Sequence, residues 1–498
     1  MNNAPIVVVG AGVGGLAAAV DLARAGRAVT VVERAGEPGG KMRQVSVAGQ
    51  GIDAGPTVFT MRWIFEDLFN AAGASLADSL NLLPAERLAR HAWRDGGELD
   101  LFADLDRSAA AIEAFSDASN AQGYLDFCRR SEDIYHTLRD TFIADQRPTP
   151  VSLVGRVGLS RLDAMWRTAP FRTLWGALGD HFSDPRLRQL FGRYSTYVGS
   201  SPLHTPATLM LVAHVEQDGV WLVDGGMRAL ALALQALGES MGVEYRFHSE
   251  VSTIDMVGGR AAGVTLADGE SLRASNVVFN GDVSALAGGL LGTSARRATR
   301  GITADKRSLS AVTWCIQGRP RGFELDYHNV FFASDYPREF QSIFTERRVT
   351  EAPTVYICAQ DRVPGGVNAA SHDESGERLL LLINAPADGD RSSLSVAQMN
   401  SLRERTFGLL DDCGLSLDFD DANCVATRPE DFNTLFPASG GALYGRASHG
   451  MMASFARPGA RSRLPGLYLA GGSAHPGPGV PMAAMSGRLA ARALLDDS

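Results

Sequence analysis

Apolar residues run unbroken from Pro5 through Val9, and the β-branched content of that run suits a strand buried on both faces. The period then changes. Over residues 14–25, Leu16, Ala19, Val20 and Ala23 recur at spacings of three and four, which predicts a helix with one apolar stripe, and Gly26 is placed to end it. A second apolar run over 28–32, closed by Glu33, completes a βαβ unit. From about Met61 to Gly219 the pattern is mostly helical, with charged and aromatic residues interleaved and no regular strand. Alternation of strand and helix resumes at Trp221. There Asp224-Gly225-Gly226-Met227 leads into an Ala/Leu-rich helix over 228–242 and a strand over 243–247. Short β runs follow at 251–254, 262–266 and 277–280, separated by turns such as Asp268-Gly269. Residues 290–440 mix strand-like runs (310–317, 354–359, 379–384) with helices such as 395–410. A strand at 466–470 and a helix over 481–495 close the chain.

The α/β pieces sit at the start, middle and end, so the expected architecture is α/β. One discontinuous Rossmann-type nucleotide-binding domain (1–70, 221–290 and 441–498) would carry an inserted α+β domain in two parts (71–220 and 291–440). Composition narrows the function classes. Lys and Arg number 47 against 56 Asp and Glu, a net charge of −9 that argues against nucleic acid as a partner. No window offers 18 clean apolar residues, so membrane contact is expected to be peripheral. The apolar N-terminal run lacks a basic n-region and is broken by glycines, unlike a signal peptide. Five cysteines with no CxxC spacing suggest neither a disulfide framework nor a zinc site, fitting a reducing, cytoplasmic setting. Glycine is enriched, with 54 in 498 residues, and its clusters mark where backbone must approach something closely.

The first cluster, Gly10-Ala11-Gly12-Val13-Gly14-Gly15, follows a predicted strand and opens a predicted helix. In that context Gly10 permits the tight turn, Gly12 admits a pyrophosphate, and Gly15 lets helix and strand pack closely. Glu33, 18 residues after Gly15, is placed to accept the hydroxyls of an adenosine ribose. A second doublet, Gly39-Gly40, precedes Lys41 and Arg43 and then Asp53-Ala54-Gly55-Pro56-Thr57. It has no purpose in a plain NAD dehydrogenase but suits backbone running along an extended dinucleotide. Near the C-terminus, Gly471-Gly472 leads through His475-Pro476-Gly477-Pro478-Gly479-Val480-Pro481-Met482 into a helix. Its N–H groups could face the pyrimidine end of a flavin, where reduction places negative charge.

With these motifs the chain resembles the bacterial phytoene desaturase family of FAD-dependent carotenoid oxidoreductases, from end to end. Within it, Gly55-Pro56-Thr57-Val58, Phe191-Gly192-Arg193-Tyr194, Thr196-Tyr197-Val198-Gly199, Phe279-Asn280-Gly281-Asp282 and Leu435-Phe436-Pro437-Ala438-Ser439-Gly440-Gly441 are similar to the 1-hydroxycarotenoid 3,4-desaturases. The resemblance implies FAD as cofactor. Gly10, Gly12, Gly15 and Gly40 would lie at the pyrophosphate, Glu33 at the ribose and Lys41 on the phosphate side. Pro56 and Thr57 would lie beside the isoalloxazine, Val251 at the adenine, Asn280 and Asp282 near the same half, and Gly472 and Met482 by the ribitol and ring. No metal is implied and no catalytic residue is assigned. His475 is a candidate base or a shaper of its loop, and His204, His214 and Asp282 are weaker candidates.

The implied reaction removes a hydride from C4 and a proton from C3 of an acyclic 1-hydroxy or 1-methoxy carotenoid. Its electron acceptor, oxygen or quinone, is left open. Such a substrate comes from a membrane lipid surface, so the protein is expected to sit peripherally on the inner face of the membrane. The candidate docking segment spans 151–175, where Arg156, Arg161, Arg167 and Arg172 alternate with Val157, Leu159, Leu162, Met165, Trp166, Phe171 and Trp175. Its alternative reading is an ordinary helix with solvated arginines. Other members of the superfamily, a phytoene desaturase, a carotene isomerase or an amine oxidase, remain open, as does a non-catalytic lipid escort.

Overall fold

The computed structural model describes residues 5–158, 168–363 and 376–498. A five-stranded parallel sheet runs in the order Leu467–Leu469, Asn276–Phe279, Ile6–Val9 (β1), Val29–Val32 (β2) and Glu244–Arg246. Alternate side chains serve its two faces. Ile6, Val8, Val29, Val31 and Val278 join the core under the helices, while Val7, Val32, Val277 and Phe279 join a second core against a three-stranded antiparallel sheet. That sheet is formed by Val251–Val257, Arg260–Leu266 and Ser271–Arg273. Burial on both faces explains why β1 and β2 read as unbroken apolar runs.

The helix Val13–Arg24 (α1) packs between Met227–Ser240 and the C-terminal helix Val480–Asp496. Its contact with the C-terminal helix is made by small residues. A methyl group on Gly487 would stand 1.9 Å from the Gly14 carbonyl oxygen, so the first and last helices touch through backbone.

A second, larger sheet of eight strands carries Leu415–Asp418, Ser310–Gly322, Glu377–Ala385, Val355–Ala359, His328–Phe332, Arg87–Trp93 and Glu98–Phe102 in that order, with Cys424–Thr427 added alongside Ser310–Gly322. Its neighbours are antiparallel except Arg87–Trp93 with His328–Phe332. The expectation of no regular strand between Met61 and Gly219 is therefore wrong: Leu82–Pro84, Arg87–Trp93 and Glu98–Phe102 are strands. The alternation of Arg87–Trp93 is spoiled because His91, Ala92 and Trp93 are all buried, a consequence of pairing with a strand some 240 residues away. A hairpin signal was present at Gly96-Gly97, which both take positive φ. Over this sheet lies a helical layer in which Ala118–Leu138 packs on Leu105–Phe115 and Leu211–Gln217. Among the described residues no helix is long and apolar enough to cross a membrane.

Candidate functional site

The turn between β1 and α1 is held by contacts that exclude any side chain. Gly10 takes φ +99° and donates its N–H to the Val32 carbonyl at 2.8 Å. A methyl group on Gly15 would fall 2.1 Å from the Gly10 carbonyl oxygen. Asn280, at the end of the neighbouring strand, donates through Nδ2 to the carbonyls of Gly10 and Gly12, at 3.2 Å each. Gly39 donates to the Ala11 carbonyl at 2.9 Å, and Gly40, at φ +58°, lies against the Gly12 backbone. The second glycine doublet thus seats the loop after Glu33 on the first. Glu33 accepts from the backbone N–H of Ala11 and of Ala35, both at 2.8 Å. Ser249 N–H bonds the Glu33 carbonyl, which brings the start of the strand at Val251 to the same edge.

Two cations lie inside the protein near this loop. Lys41 donates Nζ to the Leu443 carbonyl at 2.5 Å, and burial lowers its pKa against the pull of Asp282. Arg457 is buried and donates to the carbonyls of Tyr444 (3.2 Å), Gly472 (3.0 Å) and Arg446 (2.6 Å). Burial brings its pKa down to about 10, with Asp282 opposing. Asp282 caps the short helix Val283–Gly288, accepting from Ser284 N–H at 2.9 Å.

Beyond Gly472 the interior opens into a cavity of about 720 Å³. One wall is Gly55, Pro56, Thr57 and Val58, and the facing wall is Pro476 to Met482. Leu138, Leu153, Leu209, Leu211 and Val212 line it further out, and Phe171, Met451 and Met452 stand at a rim where they are 69%, 38% and 50% exposed. Several of its polar groups are linked to one another. Thr57 Oγ1 lies 2.6 Å from the Tyr356 hydroxyl, which lies 2.7 Å from His328 Nδ1. Tyr197 donates to Glu216 Oε1 at 2.7 Å, and Glu216, its pKa raised by burial, is the one carboxylate on the described lining.

The candidate bases lie elsewhere. His475 is buried outside the cavity lining, with Nε2 3.0 Å from the Asp145 carbonyl and its ring against Phe142. Burial pushes its pKa down to about 4, so it is neutral at physiological pH and ties its loop to the segment around Asp145. His204 pairs with His449, His214 packs on Tyr135, and Asp282 caps its helix. The structure brings none of the four onto the cavity wall. Arg457, Tyr356 and His328 escaped the sequence reading because no local motif marks them. Tyr197 and Arg193 stood in the motif around Phe191–Gly199 without an assigned role.

This chain matches the family described as flavin containing amine oxidoreductase over residues 13–495. It is 53% identical to the hydroxyneurosporene desaturase of Rubrivivax gelatinosus, over 98% of this chain and 93% of that protein. It is 45% identical to the protein of that name from Cereibacter sphaeroides, over 99% and 97%. The chain belongs to the flavin-containing amine oxidoreductase family. It is also similar to the 1-hydroxycarotenoid 3,4-desaturase of a Flavobacterium species, 29% identical over 97% of this chain and 98% of that protein. Putrescine oxidase bound to putrescine shares the fold, with a TM-score of 0.60 and 15% identity over 99% of this chain and 98% of that one.

Family membership makes FAD the cofactor and the protein a flavin-dependent oxidoreductase. The residues present fit its diphosphate. No side chain caps the N-terminus of α1 and no acid stands in its first turn, while Lys41 and Arg457 bring positive charge that Asp282 only partly offsets.

Asn280→Ala should lower FAD occupancy after gel filtration and cost about 1–3 kcal/mol in stability, because two backbone carbonyls lose their donor. An unchanged FAD content would count against Asn280 as the lace of the loop. His475→Gln should keep turnover within about tenfold of wild type, far from the roughly 10²–10⁴-fold loss of a general base. The same variant reports on pH. The folded imidazole has its pKa lowered from 6.5 to about 4. The unfolded chain therefore takes up this proton first, and the stability His475 contributes above pH 6.5 is lost as pH falls toward 4. Melting curves of His475→Gln should fall less steeply than wild type across that window.

Proposed function

We propose that the protein is an FAD-dependent carotenoid desaturase that introduces a C3=C4 double bond into acyclic 1-hydroxy or 1-methoxy carotenoids. The observation that carries this reading is the cavity, about 720 Å³, lined mainly by hydrocarbon and bordered by both Gly55–Thr57 and Pro476–Met482. The relatives' names supply the substrate class. In this reading the tight turn that Gly10, Gly12, Gly15 and Gly40 permit seats the diphosphate at the α1 N-terminus, and Lys41 and Arg457 supply positive charge beside it. Glu33 takes the ribose hydroxyls on its remaining lone pairs, and Val251 borders the adenine. Asn280 and Asp282 shape the loop and fix its charge. Pro56, Thr57, Gly472 and Met482 flank the ring.

The bound flavin supplies the two-electron oxidant for a hydride leaving C4. The chain's task is alignment, holding one allylic carbon at the ring and keeping water out of a channel whose walls are apolar. Loss of the hydride leaves charge spread through the polyene, so the C3 proton can go to a weak acceptor. Purified protein with FAD, liposomes and an electron acceptor should turn 1-hydroxyneurosporene into a red-shifted product and leave phytoene unchanged. Conversion of phytoene would move the assignment to early desaturation, and no turnover with FAD bound would overturn catalysis.

A lipid surface is the source of such a substrate, and the rim supplies the contact. Phe171, Met451, Met452 and Val151, the last 81% exposed on the helix Pro150–Val157, project beside the cavity mouth. Leu159, Arg161, Leu162, Met165, Trp166 and Arg167 of the expected docking segment lie outside the described residues. The described arginines are tied to the protein. Arg156 bonds the Thr141 and Gln146 carbonyls and lies 3.4 Å from Asp145, and Arg172 pairs with Asp180. Val157 is buried and Trp175 packs on Tyr336 and Arg188. Apolar rather than cationic side chains are therefore the better docking group. Val151→Ser with Met452→Ser should weaken flotation with liposomes, and Arg156→Gln should not; the reverse pattern would sink this assignment.

A further inference from the structure

The cavity wall is mainly hydrocarbon, and among its polar residues Arg193 is a cation with spare donors. Arg193 lies deep in the protein, yet it retains accessible surface because it faces the cavity. A guanidinium has five N–H donors. The one hydrogen bond of Arg193 is a long one, 3.4 Å from Nη1 to the Tyr197 hydroxyl, and it forms no ion pair with a described residue. Its plane is otherwise held by ring faces, with the guanidinium carbon 5.4 Å from the centre of Tyr197 and 5.3 Å from that of Tyr356. Glu216 and Glu339 lie within reach of its charge, but burial raises the pKa of both and neither accepts a hydrogen bond from it. A buried donor facing apolar space is costly unless the ligand brings an acceptor.

The position of the cluster limits which acceptor that is. Tyr356 links Arg193 to Thr57, since its hydroxyl stands 2.6 Å from Thr57 Oγ1 on the wall assigned to the flavin ring. The ligand oxygen must therefore lie close to the reacting carbons, not at the far end of the chain. In a 1-hydroxycarotenoid the oxygen is four bonds from C4. Tyr197 completes the match. Its proton goes to Glu216, so its oxygen is left as an acceptor toward the cavity.

We propose that Arg193 and Tyr197 form the subsite for the C1 oxygen of the substrate, a role that rests on the desaturase reading above. An N–H of Arg193 donates to the substrate oxygen, and the substrate hydroxyl donates to the Tyr197 oxygen. Anchoring C1 in this way sets which carbons stand at the flavin and makes the tertiary alcohol the preferred end group. A methoxy oxygen keeps the Arg193 contact and loses the one to Tyr197, so the order of preference is hydroxy, then methoxy, then the hydrocarbon.

The test compares 1-hydroxyneurosporene with neurosporene, the same polyene lacking the oxygen, for wild type, Arg193→Met and Arg193→Lys. Wild type should favour the hydroxylated substrate in kcat/KM, and Arg193→Met should lower that value about 10- to 100-fold, the size expected for a charge-assisted hydrogen bond. The same variant should leave neurosporene unchanged or improved, and Arg193→Lys should restore part of the preference. Binding of the two pigments in detergent micelles, followed by quenching of tryptophan fluorescence, should show the same difference without turnover. FAD content and melting temperature are measured alongside, and Arg193→Lys, which keeps the buried charge beside Glu216 and Glu339, separates loss of the donor from loss of stability. Equal losses on both substrates, or an altered flavin spectrum, would assign Arg193 to the cofactor and overturn the subsite. Unchanged discrimination would overturn it too, while failure of wild type to convert 1-hydroxyneurosporene would remove the desaturase reading itself.

Discussion

Close backbone contact around the first glycine loop is the constraint on which the rest of the molecule depends. The Gly10 carbonyl meets Gly15 at a distance no side chain would allow, and the Gly14 carbonyl meets Gly487 in the same way. Asn280 then bonds the loop from a third segment. Positions near residues 10, 280 and 487 are thereby fixed against one another, although hundreds of residues separate them. The N-terminus of α1 is left free of caps because this packing brings only backbone and small side chains to it. An uncapped, buried helix end needs an anion, and a dinucleotide diphosphate supplies one.

Charge is distributed with the same economy in the rest of the site. Lys41 and Arg457 donate to backbone carbonyls, and Asp282 is the acid opposed to both. The cavity is lined mainly by hydrocarbon, with Arg193, Tyr197 and Glu216 and the bonded pair Thr57 and Tyr356 among its polar groups. A hydrocarbon substrate slides along apolar walls without a preferred register, because dispersion contacts are nearly equivalent at each position. A polar island is what can stop it at one place. The histidines do other work: His475 ties down its loop, and His328, with its pKa pushed down to about 3 by burial, stays neutral behind Tyr356.

How legible each part was depended on whether its cause was local. The βαβ unit could be read because strand, glycine turn, helix and Glu33 are consecutive, and each has its own signal in period or residue type. The strand Arg87–Trp93 could not, since its burial is decided by His328–Phe332 lying beside it. Arg156 and Arg172 read as part of a cationic face when counted along the chain. In space each bonds a carbonyl or carboxylate, and the exposed side chains at the mouth come from both 151–171 and 451–452.

The sequence by itself determined that this is an α/β flavoprotein of the amine oxidoreductase and carotenoid desaturase kind. Glycine spacing, Glu33 at the end of the second strand and the terminal glycine-proline loop are short-range features, and the resemblance they carry needs no tertiary contact to be read. Only the tertiary structure decided which side chains face the cavity. Arg193 became a group with unused donors because Tyr356, from another strand, and Glu216, from another helix, converge on it. Lys41 and Arg457 became buried cations because residues 443–446 and 472 close over them. Solvation and pairing depend on neighbours distant in the chain, and no local pattern encodes them.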